Sequence, residues 1–206
     1  NEGSLNLAAG TTQFAAGLTQ VTGTTTLGSG PGSPATLNAG GAGFVVNGGT
    51  VGGNGTVAGN LTVNGGTLSV GASPGSLTIS GDLTLGAAST TRIELGGTVP
   101  GTGFDFIDVT GTANLAGTLD VVGFGAFTGA PGNNFAFMRY AGSSGAYGTI
   151  SLPAGWGLEY HATTGGLLLS IPAPASLPLT GTELAALALP AEVVSPAPPA
   201  PPSVAP

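Results

Sequence analysis

Residues 48–85 read GGTVGGNGTVAGNLTVNGGTLSVGASPGSLTISGDLTL, and short alternating segments recur in them between glycine-rich corners. Leu61 and Val63, Leu68 and Val70, Leu77 and Ile79, and Leu83 and Leu85 each set two apolar side chains on one face, with Thr or Ser between them. A segment this short is not a stable strand alone, so it must be stacked on others. The fourth pair begins 83 − 61 = 22 residues after the first, a separation suited to one turn of a three-sided solenoid. The expected fold is therefore all-β, a right-handed parallel β-helix (three-sided β-solenoid) with an aromatic-rich C-terminal cap and a Pro-rich tail. In this register the eight apolar residues point inward, while Thr62, Ser69, Thr78 and Thr84 are exposed.

Upstream the pattern is looser. Leu5 and Leu7, Phe14, Leu18, Val21, Leu27 and Leu37 are separated by corners such as GSGPGSP, and no amphipathic capping helix precedes Ser4. The first coil is thus expected to leave its edge groups open. The dipeptides Asn47-Gly48, Asn54-Gly55 and Asn64-Gly65 read as tight turns in the left-handed conformation. Downstream, the same register puts Ile93 and Leu95 over Leu68 and Val70, and Ile107 and Val109 over Leu77 and Ile79. It also puts Ala113 and Leu115 over Leu83 and Leu85, and Leu119 and Val121 over Ile93 and Leu95, with residues 96–104 as a protruding loop. Outward neighbours on adjacent coils are then Thr62 with Thr84, Ser69 with Glu94, and Glu94 with Asp120.

From residue 124 the aromatics concentrate, with Phe124, Phe127, Phe135, Phe137, Tyr140, Tyr147, Trp156 and Tyr160 ahead of Leu167, Leu169 and Ile171. Bulky side chains suit a last coil that needs covering. After Ile171 the composition turns to Pro and Ala, which favour extended polyproline II and cannot continue a ladder. The chain is accordingly divided into a solenoid domain, residues 1–171, and a tail, residues 172–206. The tail carries an apolar docking segment at 177–194, formed by Leu177, Leu179, Leu184, Leu187, Leu189, Val193 and Val194. These residues are the expected self-assembly contacts.

Composition narrows the function. The chain has 206 residues, 40 glycines, no cysteine and no lysine; its two arginines face nine acidic residues, for a net charge of −7. Without a basic cluster, contact with nucleic acid or anionic lipid has no electrostatic basis. A hydrophobic fraction of 41% separates the chain from disordered sequences of similar glycine content. Absence of cysteine excludes disulfide staples, so cohesion must come from stacking and burial. Low charge with abundant Thr, Ser, Asn and Gly suggests a secreted bacterial surface protein, and an opening at Asn1-Glu2 fits a mature chain freed of its signal peptide.

The run from GTVGGN through GGTLS to SPGSLTI and LTL resembles the autotransporter-associated β-strand repeat. FDFIDVTGTANLAGTLDV, GNNFAFM, YGTISLP and LLLSI are similar to the distal part of such passenger regions, so the resemblance covers residues 45–171. It implies a β-helical surface protein and leaves the activity open, since that scaffold carries adhesins, fibres and enzymes. No outer-membrane barrel pattern follows Ile171.

Candidate sites are few. Asp82, Asp105, Asp108 and Asp120 are the acidic groups to test for polysaccharide chemistry, but Asp82, Asp108 and Asp120 point outward from different sides and read as solvated. His161 is the single histidine and lacks the partners of a metal site or triad. Glu94 and Asp120 would repel unless Arg92 or a calcium ion lay beside them, and compensation by Arg92 or by water is expected. Asn54-Gly55-Thr56 and Asn60-Leu61-Thr62 match glycosylation sequons at corners. LPLTG at residues 177–181 matches a sorting signal, but the apolar stretch that follows is short, contains Glu183 and Glu192, and lacks a basic tail, so the match reads as coincidence.

The expected function is non-catalytic: a structural subunit of a secreted extracellular fibre or surface layer, assembling end to end. The alternative is an adhesin fragment binding cell-surface glycans, and behind it a carbohydrate-active β-helix enzyme. The expected partner is another copy of the chain; no catalytic residue, cofactor, metal or membrane insertion is expected.

Overall fold

The computed structural model describes residues 1–28, 30, 33–71, 73–161 and 166–172. Its first strands are β1 (Ser4–Leu7), β2 (Gly10–Gln13), β3 (Leu18–Gln20), β4 (Thr24–Leu27), β5 (Ala35–Asn38), β6 (Phe44–Val46), β7 (Thr50–Gly53) and β8 (Gly55–Ala58). Next come β9 (Leu61–Val70), β10 (Ser76–Ile79), β11 (Leu83–Leu95), β12 (Phe106–Val109), β13 (Thr112–Leu115) and β14 (Thr118–Gly123). The last are β15 (Asn134–Arg139), β16 (Gly142–Gly145), β17 (Thr149–Ser151), β18 (Gly157–His161) and β19 (Gly166–Ser170). The fold is all-β and its sheets are parallel until the last two strands, as in the β-solenoid class.

Each strand pairs with the strand one coil later. One ladder runs β3, β6, β9, β11, β13, β16. A second runs β1, β4, β7, β9, β11, β14, β17, and a third β2, β5, β8, β10, β12, β15. The long strands β9 and β11 belong to the first two ladders at once, which joins these into an 11-stranded sheet beside an 8-stranded one. Coil length is not constant. It is 61 − 44 = 17 residues from Phe44 to its partner Leu61, 22 from Leu61 to Leu83, and 138 − 107 = 31 from Ile107 to Met138. Longer coils bulge outward as loops, which leaves the interior columns intact.

Those columns are the core. Phe44, Leu61, Leu83 and Ala113 follow one another up the first ladder, and Leu37, Val57, Ile79 and Val109 up the third, each at most 1% exposed. At roughly 1.5–3 kcal/mol per buried aliphatic side chain, this stacking is the main stabilising term. All eight apolar residues of the founding segments are buried as the alternation predicts. Thr62, Ser69, Thr78 and Thr84 face outward yet are half-buried, because coils above and below cover the flanks of each side chain.

Register departs from expectation after Leu85. A shift between Leu85 and Ala88 moves the rest of β11 by one residue, so Thr91 stacks on Leu68 and Arg92 on Ser69. Ile93 and Leu95 therefore do not sit over Leu68 and Val70. Leu119 and Val121 stack on Thr91 and Ile93, where Ile93 and Leu95 are expected. The placements of Ile107 and Val109 over Leu77 and Ile79, and of Ala113 over Leu83, agree with the spacing.

The corners hold a second correction. The asparagines of the Asn-Gly dipeptides do not adopt the left-handed conformation; among the described residues the only non-glycine that does is Ser73. Glycines one place further on take it, Gly49 at φ 77° and Gly66 at φ 82°, with the backbone of the coil beneath so close that a Cβ would collide with it. Asparagine side chains instead tie coils together. Asn64 Nδ2 donates to Asn47 Oδ1 at 2.8 Å, Ser76 N to Asn54 Oδ1 at 2.7 Å, and Asp82 N to Asn60 Oδ1 at 2.9 Å. Both sequon asparagines thus have their amide oxygens engaged.

At the N-terminal end β1 and β2 each pair with one strand and, among the described residues, nothing pairs with their outer edges, whereas the outer edge of β3 is met by Asn1, whose amino group donates to Thr19 O at 2.6 Å and whose carbonyl accepts from Val21 N at 3.0 Å. At the other end β19 lies antiparallel on β15, and β18 antiparallel on β19. The alternating pattern does not foresee this reversal. Its apolar floor is aromatic, with Phe135 against Phe104 and Phe127 edge to face and stacked on Trp156 at 5.2 Å. The chain divides into two units, Asn1–Ala173 and Pro174–Pro206. Leu177, Leu179, Leu184, Leu187, Leu189, Val193 and Val194 lie outside the described residues.

Candidate functional site

Charged side chains are placed by the alternation of the strands, and they do not converge. Arg92, on the outer side of β11, lies opposite Asp120 of β14. Its guanidinium is 3.6 Å from Asp120 Oδ2 and 3.9 Å from Glu94 Oε1. The expected pairings of Ser69 with Glu94 and of Glu94 with Asp120 are replaced by Ser69 with Arg92 and Arg92 with Asp120, because β11 lies two residues away from the expected register. Arg92 is the compensating charge between the two carboxylates. With the Arg92 side chain 44% exposed, solvent screens the pair and its contribution is modest, under about 1 kcal/mol.

The other arginine, Arg139 of β15, holds Asp108 of β12 in a fork, Nε to Oδ1 at 2.9 Å and Nη2 to Oδ2 at 2.5 Å. Asp82 caps the next coil by accepting from Thr112 N at 2.8 Å. Each of these acids is committed to a neighbour in the stack. Among the described residues no three His, Cys, Asp or Glu side chains form a group that could hold a metal ion, and no helix is long and apolar enough to cross a membrane.

Asp105 differs from the other three. It is fully buried, a placement that the alternation does not assign, because the loop of residues 96–104 leads it to the corner before β10. Oδ1 accepts from Gly75 N and Oδ2 from Glu94 N, both at 2.8 Å, so one carboxyl clasps two coils. Burial raises its pKa from 3.8 to about 7; the two N–H bonds and Arg92 pull the other way, and the nearby Glu94 adds to the rise. Asp105 is structural in geometry: its oxygens are occupied and it faces no open cleft.

Two depressions are lined by described residues. One, of about 270 Å³, lies where the aromatic end meets β11 and β14, lined by Leu95, Gly123, Phe127, Thr128, Pro153, Ala154 and Trp156. It is apolar and carries no charged group. The other is a trough of about 370 Å³ on the outer face of the third ladder, lined by Pro34, Asn54, Gly55, Thr56, Ser76, Thr78, Gly101 and Thr102. All its polar groups are neutral. Comparison with protein-family models, with curated proteins and with solved structures gives no match.

The trough is absent from the reading of the sequence. Thr78 is an outward residue in that reading and residues 96–104 a protruding loop, but the meeting of that loop with Thr56 and Thr78 is not foreseen. A second missed signal is a corner column. Ser4, Thr24, Thr50, Thr67, Thr90, Thr118 and Thr149 stack in register along the second ladder. All but Thr90 follow a glycine, so a recurrent Gly-Thr or Gly-Ser marks where that ladder begins, at intervals too uneven to stand out as a repeat. The side chain of His161 lies outside the described residues.

Proposed function

We propose that the chain is a right-handed, three-sided parallel β-helix that serves, without catalysis, as a structural subunit of a secreted bacterial fibre or surface layer. The observation that carries this reading is the open end at β1 and β2, whose backbone groups have partners on one side only among the described residues. Unpaired parallel edges at matching spacing are templates for another chain. The other end favours the same polarity. Since β19 reverses direction and β18 reverses it again, β18 runs the same way as the third ladder and offers a neighbour's β2 a parallel partner. Contacts of this head-to-tail kind do not close, and they generate filaments. Residues 177–194 are proposed as the second contact, docking on a neighbouring copy. The repeat-like corners of residues 45–171 support an autotransporter-type passenger origin, and scarce charge supports an extracellular setting.

The test uses the free edge itself. Gly3 and Leu7 give their carbonyls to Thr24 N and Gly28 N, so the N–H groups of Ser4 and Asn6 point to the open side. By the same alternation, Phe14 N binds Asn38 O and Gln13 N faces outward. Asn6→Pro and Gln13→Pro should abolish filaments seen by electron microscopy while the far-ultraviolet circular dichroism stays that of the parent. Filaments that form as readily in both variants, or a parent that stays monomeric at high concentration, refute the reading.

A further inference from the structure

We infer that the trough on the third ladder is a binding site for a neutral, hydroxyl-rich oligosaccharide lying along the coil axis. Its floor is built by register. Thr56 of β8 lies directly beneath Thr78 of β10, so their side chains are spaced at about 4.7–4.9 Å, the distance between hydrogen-bonded strands. Asn54 and Ser76 border the floor on its corner side, and Pro34, from the coil before, closes one end. The trough crosses successive coils and has room for a di- or trisaccharide. At about 370 Å³ it falls at the small end of ligand clefts.

One wall is preorganised. Gly101 and Thr102 belong to the loop between β11 and β12, which is bonded to itself through Gly101 N to Phe104 O and Gly103 N to Val99 O, both 2.7 Å. Its foot is clamped by Asp105 to Gly75 and Glu94. The wall leans on the floor so closely that a Cβ added to Gly101 would lie 3.3 Å from Ser76 Cβ. A site fixed in this way loses little conformational freedom when a ligand enters.

Chemistry selects the ligand class. The trough lies on the face of the sheet and not at an edge, so backbone groups of the floor are used in the ladder and cannot add a peptide strand. What remains are the hydroxyls of Thr56, Ser76, Thr78 and Thr102, none of which bonds another protein group among the described residues. A hydroxyl donates and accepts, and the reciprocal partner is another hydroxyl. Threonine methyls, the Pro34 ring and bare glycine backbone supply the apolar contacts that the C–H faces of a sugar need. No charged residue lines the site, and the nearest outward carboxylate in register, Asp108 above Thr78, is held by Arg139. An anionic or cationic ligand would find no counter-charge.

The experiment is saturation-transfer NMR on the full chain with cellotetraose, maltotetraose and tetra-N-acetylchitotetraose as neutral probes and tetragalacturonate as the charged one. Observation is on the sugar, so it works whether the protein is monomeric or filamentous, and its outcome is independent of the assembly reading. At least one neutral probe should receive saturation and tetragalacturonate should not. The double variant Thr56→Val with Thr78→Val keeps β-branched residues in both strands and should weaken binding tenfold or more. Thr26→Val with Ser69→Ala, on the second ladder, should leave it unchanged. Absence of transfer to all three neutral probes, preference for tetragalacturonate, or unchanged binding by the Thr56/Thr78 variant overturns the inference.

Discussion

Replacing Asp105 with Asn separates what a buried carboxyl contributes by bonding from what it costs by ionising. The wild-type side chain is wholly buried and accepts one N–H from Gly75 and one from Glu94. In the folded chain its pKa is about 7, against 3.8 when unfolded. The folded state therefore binds the proton more tightly than the unfolded one, and stability falls as pH rises from about 4 to about 7, then levels off. The separation of the two values corresponds to roughly 4 kcal/mol over that window. Asparagine cannot ionise, and it turns one acceptor into a donor facing an N–H. The variant should therefore be less stable than wild type by about 1–3 kcal/mol at pH 4, where the wild-type acid is neutral. It should gain on the wild type steadily and overtake it by pH 8. Urea titrations followed by circular dichroism at pH 4, 5, 6, 7 and 8 measure this. Every other titrating group is common to both proteins, so the difference between the two curves isolates Asp105. Parallel curves, with a constant gap from pH 4 to 8, would refute the reasoning.

Leu83 lies between Leu61 and Ala113 in an inward column and has no exposed surface. Leu83→Asp places an unpaired carboxylate there and should cost well above the roughly 1.5–3 kcal/mol of the lost side chain, seen as loss of amide-exchange protection across β9, β11 and β13. Protection unchanged in those strands would sink the stacking account. The hydroxyls of Thr91 and Tyr147 face each other in the core, and among the described residues neither has a partner other than the other. Burial drives the Tyr147 pKa up, so its hydroxyl stays neutral. Thr91→Val with Tyr147→Phe should be neutral or stabilising by about 1 kcal/mol in thermal melts, and a loss larger than that would show that the contact between the two hydroxyls outweighs the cost of burying them.

How much of this was legible in the sequence depends on the range over which each decision is made. Side-chain alternation has a period of two and is set locally. Leu61, Val63, Leu77, Ile79 and the rest could therefore be assigned to the interior from residue order alone, and stacking at 22 residues followed wherever two corners had equal length. The course of β11 beyond Leu85 was not legible. A polar Thr91 takes the place over Leu68, where Ile93 is expected, because the corner at Gly86 and Ala87 adds one residue to the 22-residue offset and not three, a two-residue shift from the expected pairing. Hydropathy cannot predict that shift, since Ile93 and Leu95 remain inward under either registration. Asp105 shows the same limit. Its carboxyl is buried because two backbone N–H groups, 30 residues before it and 11 residues before it, converge on it, and convergence is a property of the folded coils. The antiparallel β18 and β19 were likewise a tertiary choice. A strand of Gly166–Ser170 composition can pair in either direction, and the exposed edge of β15 with its aromatic floor decided where and how it did. The sequence by itself determined the stack and its inward face, by short-range alternation. Only the tertiary structure placed the loop wall, the clasp and the trough, because each depends on distances between coils that no local pattern encodes.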